Sequence, residues 1–212
     1  MTVQNTNIHD RMKHQLDTRH FRVIAMALAL LGVAPLWAPA DEVTETIAEA
    51  LDAYKNKDYP GATLALETAA QLVRQMRAEG LTGYLPEPPP GWTAEKADSQ
   101  AMGGMYYGGM VSAQRAFSRG DAQVTVRFIT DSPMLQSYLM ALNTPMLAQA
   151  GGMKVERIKR QRAVVQFEGD SGTVNIVIQG TLLVQVEGNS VTLDDLRLFA
   201  EAIDYDKLGN AL

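Results

Sequence analysis

The sequence predicts an α+β fold: an antiparallel sheet of about six to seven strands packed on two helices, in the order β-β-β-α-β-β-β-β-α, preceded by an N-terminal helical hairpin. Three observations carry this expectation. Between Asp41 and Gly80 the apolar residues recur at three- and four-residue spacing, the period of one helix face. After the proline run Leu85-Pro86-Glu87-Pro88-Pro89-Pro90-Gly91-Trp92 the apolar period shortens to two, that of a half-buried strand. Beyond residue 153, four short apolar stretches follow one another across brief turn sequences. Connections that short fit antiparallel hairpins, because a parallel crossover needs about a dozen residues or more.

The first 40 residues read as a secretory signal peptide. Arg19-His20-Phe21-Arg22 supplies a basic stretch, Val23 to Ala34 an uncharged apolar run, and Ala38-Pro39-Ala40 the small residues of a cut before Asp41. Val23 to Trp37 is 15 residues, short of the ~20 that span a bilayer. Met12 followed by Lys13 makes a second candidate start. The expected address is therefore export, in all expectation to a periplasm.

Residues 41–84 follow as the helical hairpin. Val43, Ile47, Leu51 and Tyr54 form one stripe, Lys55-Asn56-Lys57-Asp58 a polar turn, and Pro60-Gly61 a helix start where proline is tolerated. Ala62, Leu66, Ala69, Leu72, Val73 and Met76 form a second stripe. Residues 85–91 read as a stiff Pro-rich linker, and 92–212 as the antiparallel α+β domain. Its strands are expected over Trp92–Ala97, Val111–Phe117 and Gln123–Thr130. A helix over Met134–Gln149 is entered through Asp131-Ser132-Pro133 and kinked or ended by Pro145. Strands Lys154–Ile158, Ala163–Glu168, Thr173–Ile178 and Leu182–Glu187 come next. Thr192-x-x-Asp195 opens the last helix as a capping box. One sheet face is expected to carry the two later helices and the other to meet solvent or a partner.

The pattern Ala50-x-x-x-Tyr54-x-x-x-Asp58-Tyr59-x-x-Ala62-x-x-x-Leu66-Glu67-x-Ala69 resembles half of a single tetratricopeptide-type helical hairpin. Over residues 85–208, the Gly91-Trp92 opening, the hairpins and the terminal helix resemble PsbP/Mog1-like exported accessory domains. That resemblance implies a non-enzymatic accessory or binding role and names no ligand.

Composition narrows the chemistry. The chain has no cysteine, which excludes disulfides, thiol catalysis and lipid attachment at a cysteine. Its three histidines, His9, His14 and His20, all lie in the expected leader. A mature chain without His or Cys lacks the usual general base and the commonest transition-metal ligands, so a non-enzymatic protein without cofactor is expected. Removing the leader's four basic and two acidic residues from the chain's 19 and 24 leaves 15 and 22, a net charge of −7. Nothing in that balance favours nucleic acid.

Three constellations remain. The segment Met102-Gly103-Gly104-Met105-Tyr106-Tyr107-Gly108-Gly109-Met110, beside Leu135, Tyr138, Leu139, Leu142 and Met146 of the expected helix, can line a groove for a hydrophobic ligand or a protein partner. Met102, Met105 and Met110 alternatively offer thioethers to Cu(I). Lys154, Arg157, Lys159, Arg160 and Arg162 make a basic patch that can meet anionic headgroups at a membrane surface or an acidic partner. Asp194, Asp195, Asp204 and Asp206 lack the spacing of a calcium loop and read as helix capping. The expected function is that of an exported binding or accessory protein in the cell envelope.

Overall fold

Fourteen elements follow one another in a computed structural model of the chain, which describes residues 39–102 and 109–210. The expected leader lies outside the described residues, apart from Pro39 and Ala40 in the first turn of α1. Helix α1 (Pro39–Lys55) and α2 (Tyr59–Thr82) form the hairpin. Asp58 caps α2, its Oδ1 accepting from the Gly61 N–H at 3.0 Å, and Pro60 occupies the first turn where its missing donor costs nothing. The two helices close on small residues: Thr46, Ala50, Ala62 and Ala69 are buried, whereas Ile47, Leu51, Tyr54 and Leu66 stand out in solvent. The other side of α2 meets the sheet through Ala78 and Leu81, and Gln71 donates to the Ala101 carbonyl at 2.8 Å.

The proline segment does not stand free as a spacer. Leu85, Pro86 and Pro89 are buried, and Arg115 Nη1 donates to the Pro86 carbonyl at 3.1 Å. Polyproline offers rigid apolar surface without N–H groups to satisfy, which suits a strap laid over a sheet. The described residues from Pro39 onward form one compact unit.

The sheet contains β1 (Thr93–Ala94), β2 (Asp98–Ala101), β3 (Val111–Arg119), β4 (Ala122–Thr130), β5 (Lys154–Ile158), β6 (Gln161–Glu168), β7 (Ser171–Ile178) and β8 (Leu182–Asn189). Every pairing is antiparallel, in the order β1-β3-β4-β8-β7-β6-β5, with β2 also on β3. Of the expected first strand, Trp92–Ala97, only Thr93–Ala94 pairs as a strand, and β2, which was not expected, follows it; both lie against β3. Trp92 itself is buried just before β1, in edge contact with Phe199 at 4.9 Å. Gln179 and Gly180, both at positive φ (50° and 73°), make the tight turn that joins β7 to β8.

Helix α3 (Leu135–Asn143) and α4 (Pro145–Ala150) divide the expected single helix at Thr144, whose backbone (φ −131°, ψ 74°) lies outside the helical region that a following proline disfavours. Helix α5 (Leu193–Ala202) and a short α6 (Tyr205–Asn210), which the periodicity did not reveal, close the chain.

The later helices do not share one face. Val124, Val126, Phe128, Val174, Ile176, Val184 and Val186 pack with Leu196, Phe199 and Ile203 on one side. Ile129, Val164, Val177 and Leu183 pack with α3 and α4 on the other. Consecutive apolar pairs explain this: Phe128-Ile129, Val164-Val165, Ile176-Val177 and Leu182-Leu183 send an apolar chain to both faces, so that end of the sheet needs cover twice. The remaining part of the second face is polar. There Arg127 spans its neighbours, Nε donating to Gln114 Oε1 at 2.8 Å and Nη1 to Gln185 Oε1 at 3.3 Å.

Candidate functional site

The apolar shoulder made by α3 and α4 is the place where the expected groove residues gather. Asp131, at φ 56°, turns the chain off the sheet, and Ser132 Oγ accepts from the Met134 N–H at 3.2 Å to start α3. Leu135 and Leu142 then point down and are buried. Leu135 packs with Ile129 and Leu183; Leu142 packs with Ala141, Ala148 and Val164. Tyr138, half-buried, touches both groups and joins them. Burial, with the Glu187 charge adding to it, pushes its phenol above the ordinary value, so it stays protonated.

Met110 joins Leu135, Tyr138 and Leu139 around Ile129 and Leu183, which brings one end of the Met-rich segment against α3 as the groove reading requires. Met102 lies across from it, its N–H donating to the Met110 carbonyl at 2.8 Å, so the two close the base of the loop. Met105, Tyr106 and Tyr107 lie outside the described residues. The thioether set proposed for Cu(I) is thus described at Met102 and Met110, of which Met110 is committed to apolar packing.

Met146 is 83 % exposed and does not face the buried stripe. Pro145 restarts the helix and turns its first residues outward. Between α3 and α4 this leaves an open cleft of about 220 Å³ lined by Gln136, Ser137, Met140, Ala141, Ala148 and Met153. Met140 is 60 % exposed at its rim. The groove expected from sequence includes none of these six residues. A signal existed: Met140 falls outside the stripe of Leu135, Tyr138, Leu139 and Leu142, on the side carrying Gln136 and Ser137, where a large apolar residue has no core to enter.

The basic patch divides. Lys159 Nζ donates to the Ile203 carbonyl at 3.0 Å and lies 6.0 Å from the Tyr205 ring, and Arg160 pairs with Asp206 at 3.1 Å. These two hold α6 against the β5–β6 turn. Around them is a second cavity, about 370 Å³, with Gln161, Ala202 and Asp204 in its wall. Its mixed charges are engaged in structure: Asp204 caps α6, and the Lys207 N–H on its carboxylate comes first among the contacts that hold its pKa below the ordinary range. Tyr205 donates to the Ala200 carbonyl at 2.7 Å, and burial raises its phenol far above the ordinary value.

Arg157 and Arg162 stand directly opposite each other across β5 and β6 and are exposed. They follow Val155 and Val164 on the face that α3 and α4 cover, so they flank the shoulder. Like charges facing across a ladder are unfavourable without an anion between them. Lys154 lies in the alternate direction, opposite Val165.

Among the described residues no group of three or more His, Asp or Glu side chains could hold a metal ion. No described helix is long and apolar enough to cross a membrane. Comparison with protein-family models, curated proteins and solved structures finds no match for the chain.

Proposed function

We propose that this chain is an exported, non-enzymatic binding or accessory protein of the cell envelope that takes an apolar side chain of a protein partner between α3 and α4. The observation that carries this reading is the apolar cleft of about 220 Å³ with the exposed thioether of Met140 at its rim. Size favours one of the two kinds of occupant considered. Sites for whole small molecules run to ~300–1,000 Å³, while an apolar cavity of about 150 Å³ already takes a benzene ring. A volume of that order suits one large side chain better than a whole lipid tail. Methionine suits such a surface because its unbranched, polarizable chain repacks around different guests. Arg157 and Arg162 favour a partner segment with acidic residues next to its apolar anchor.

The test is recovery of one defined envelope protein by the purified full chain as bait. Met140→Glu or Ser137→Glu is expected to reduce that recovery at least ten-fold, with the fold intact by circular dichroism, since both residues line the cleft and are exposed. Equal recovery with the glutamate variants would remove the cleft from the account. A lipid repeatedly extracted from the native protein would replace the protein partner by a lipid cargo. The exported address rests on the leader pattern, and N-terminal sequencing of the mature protein is expected to read Asp41-Glu42-Val43.

A further inference from the structure

The α1–α2 hairpin is built with its large apolar residues on the outside. It closes through Thr46, Ala50, Ala62 and Ala69, each below 9 % exposure. Ile47, Leu51 and Tyr54 on α1 remain 50 %, 53 % and 63 % exposed, and Tyr59, Leu66 and Val73 on α2 59 %, 56 % and 44 %. Tyr59, Leu66 and Val73 recur every seven residues, and Ile47, Leu51 and Tyr54 every three or four, so each set is a stripe along its helix.

The two stripes form one surface. At the turn the Tyr54 and Tyr59 rings meet edge-on at 6.1 Å, and at the far end Val43, Val73 and Met76 line one shallow depression with Arg77. The surface faces away from the sheet, which α2 contacts through its Gln71, Ala78 and Leu81 side. From Ile47 to Tyr54 and from Tyr59 to Val73 the stripes carry no charge; Arg77, one turn past Val73, borders the depression. Lys55 and Arg77 stand at the margins, near Asp52 at 3.4 Å and Asp131 at 3.9 Å.

We infer that this face is covered by the same face of a second copy of this chain, the two hairpins forming a four-helix layer. Area supports it. Side chains of this size present roughly 150–250 Å² each when bare, so the exposed parts come to on the order of 700 Å², more than the ~300–600 Å² of a typical monomer's largest patch. Two such faces together hide about 1,400 Å², inside the 1,200–2,000 Å² of a stable interface. Symmetry supports it as well. A two-fold contact sets a surface against itself, which a charged stripe resists through like-charge repulsion and an uncharged one allows. A two-helix layer with a free apolar side is half of a four-helix packing unit. The pairing is separate from the α3–α4 cleft, so either can fail without the other.

Sedimentation equilibrium of the purified chain, from micromolar to submillimolar concentration, tests it. The expected mass is that of two chains. Leu51→Glu and Leu66→Glu are each expected to give one chain with an unchanged circular dichroism spectrum. Leu64→Glu, at a residue 67 % exposed but off both stripes, is expected to leave the dimer. If a glutamate variant fails to fold, Leu51→Ala and Tyr59→Ala replace it, with dissociation at least ten-fold easier. A wild-type monomer at the highest concentration overturns the inference. So does a dimer that survives both stripe variants, or a monomer that floats with phospholipid vesicles, which would assign the face to lipid.

Discussion

Asp195 ties the start of α5 to the end of β3. Its Oδ2 accepts from the Thr192 N–H at 3.0 Å, the Thr192 hydroxyl accepts from its own N–H at 3.2 Å, and Arg119 pairs with its Oδ1 at 2.7 Å. The Arg119 guanidinium lies 4.4 Å over the Trp92 ring, so the pair also clamps the residue that opens the sheet domain. Burial pushes the Asp195 carboxyl up, but the Thr192 hydrogen bonds and the Arg119 charge outweigh it and hold the group below its ordinary value of 3.8. A carboxylate depressed on folding stabilises fully above its unfolded pKa and loses that contribution as pH falls through the folded one. Asp195→Asn is therefore expected to cost about 1–2 kcal/mol at neutral pH. Urea unfolding should show the gap narrowing below about pH 4. A gap independent of pH would mean the charge contributes nothing. The capping box was legible from Thr192-x-x-Asp195 alone. Arg119 and Trp92 were not, because both lie more than 70 residues away in sequence and local spacing carries no information about them.

The strands β3 to β8 and helix α5 follow their sequence patterns closely, since each combines a clear period with turn residues at its ends. Misreadings cluster where two local rules compete. Pro145 both ends α3 and begins α4, and the sequence left open whether it kinks or divides the helix. The expectation that both later helices share one face failed because the doublets Phe128-Ile129, Val164-Val165 and Ile176-Val177 break the alternation of a sheet open on one face. Contact between α5 and β8 depends on Gly188. A Cβ there would come within 2.7 Å of Leu196 Cδ2 and 2.8 Å of Val191 Cγ2. Gly188→Ala is thus expected to destabilise by about 1–3 kcal/mol through overpacking. Thermal unfolding checks this, and an unchanged midpoint would show that α5 shifts without cost.

For the whole molecule, two apolar surfaces remain after the core is complete, and they differ in visibility from sequence. The hairpin stripes were plain in the periodicity, yet their direction was not, because alanines close the hairpin and leave the larger residues outside. Stripe size alone suggests the opposite arrangement. Little of the α3–α4 cleft was legible: Leu135, Tyr138 and Leu139 pack with Met110 and Leu142 packs with Ala141, Ala148 and Val164, but none of these expected residues lines the cleft. The open wall belongs to Met140, exposed on the outer side of α3, and to half-buried Met153 at the turn into β5. A photo-reactive amino acid placed at position 137 on the cleft wall, with the chain expressed in its own compartment, tests the proposed function most directly. The account predicts one discrete adduct with a protein, absent when the same group replaces exposed Glu95 just after β1 and lost on adding Met140→Glu. No adduct at position 137, or the same adduct from both positions, would contradict it.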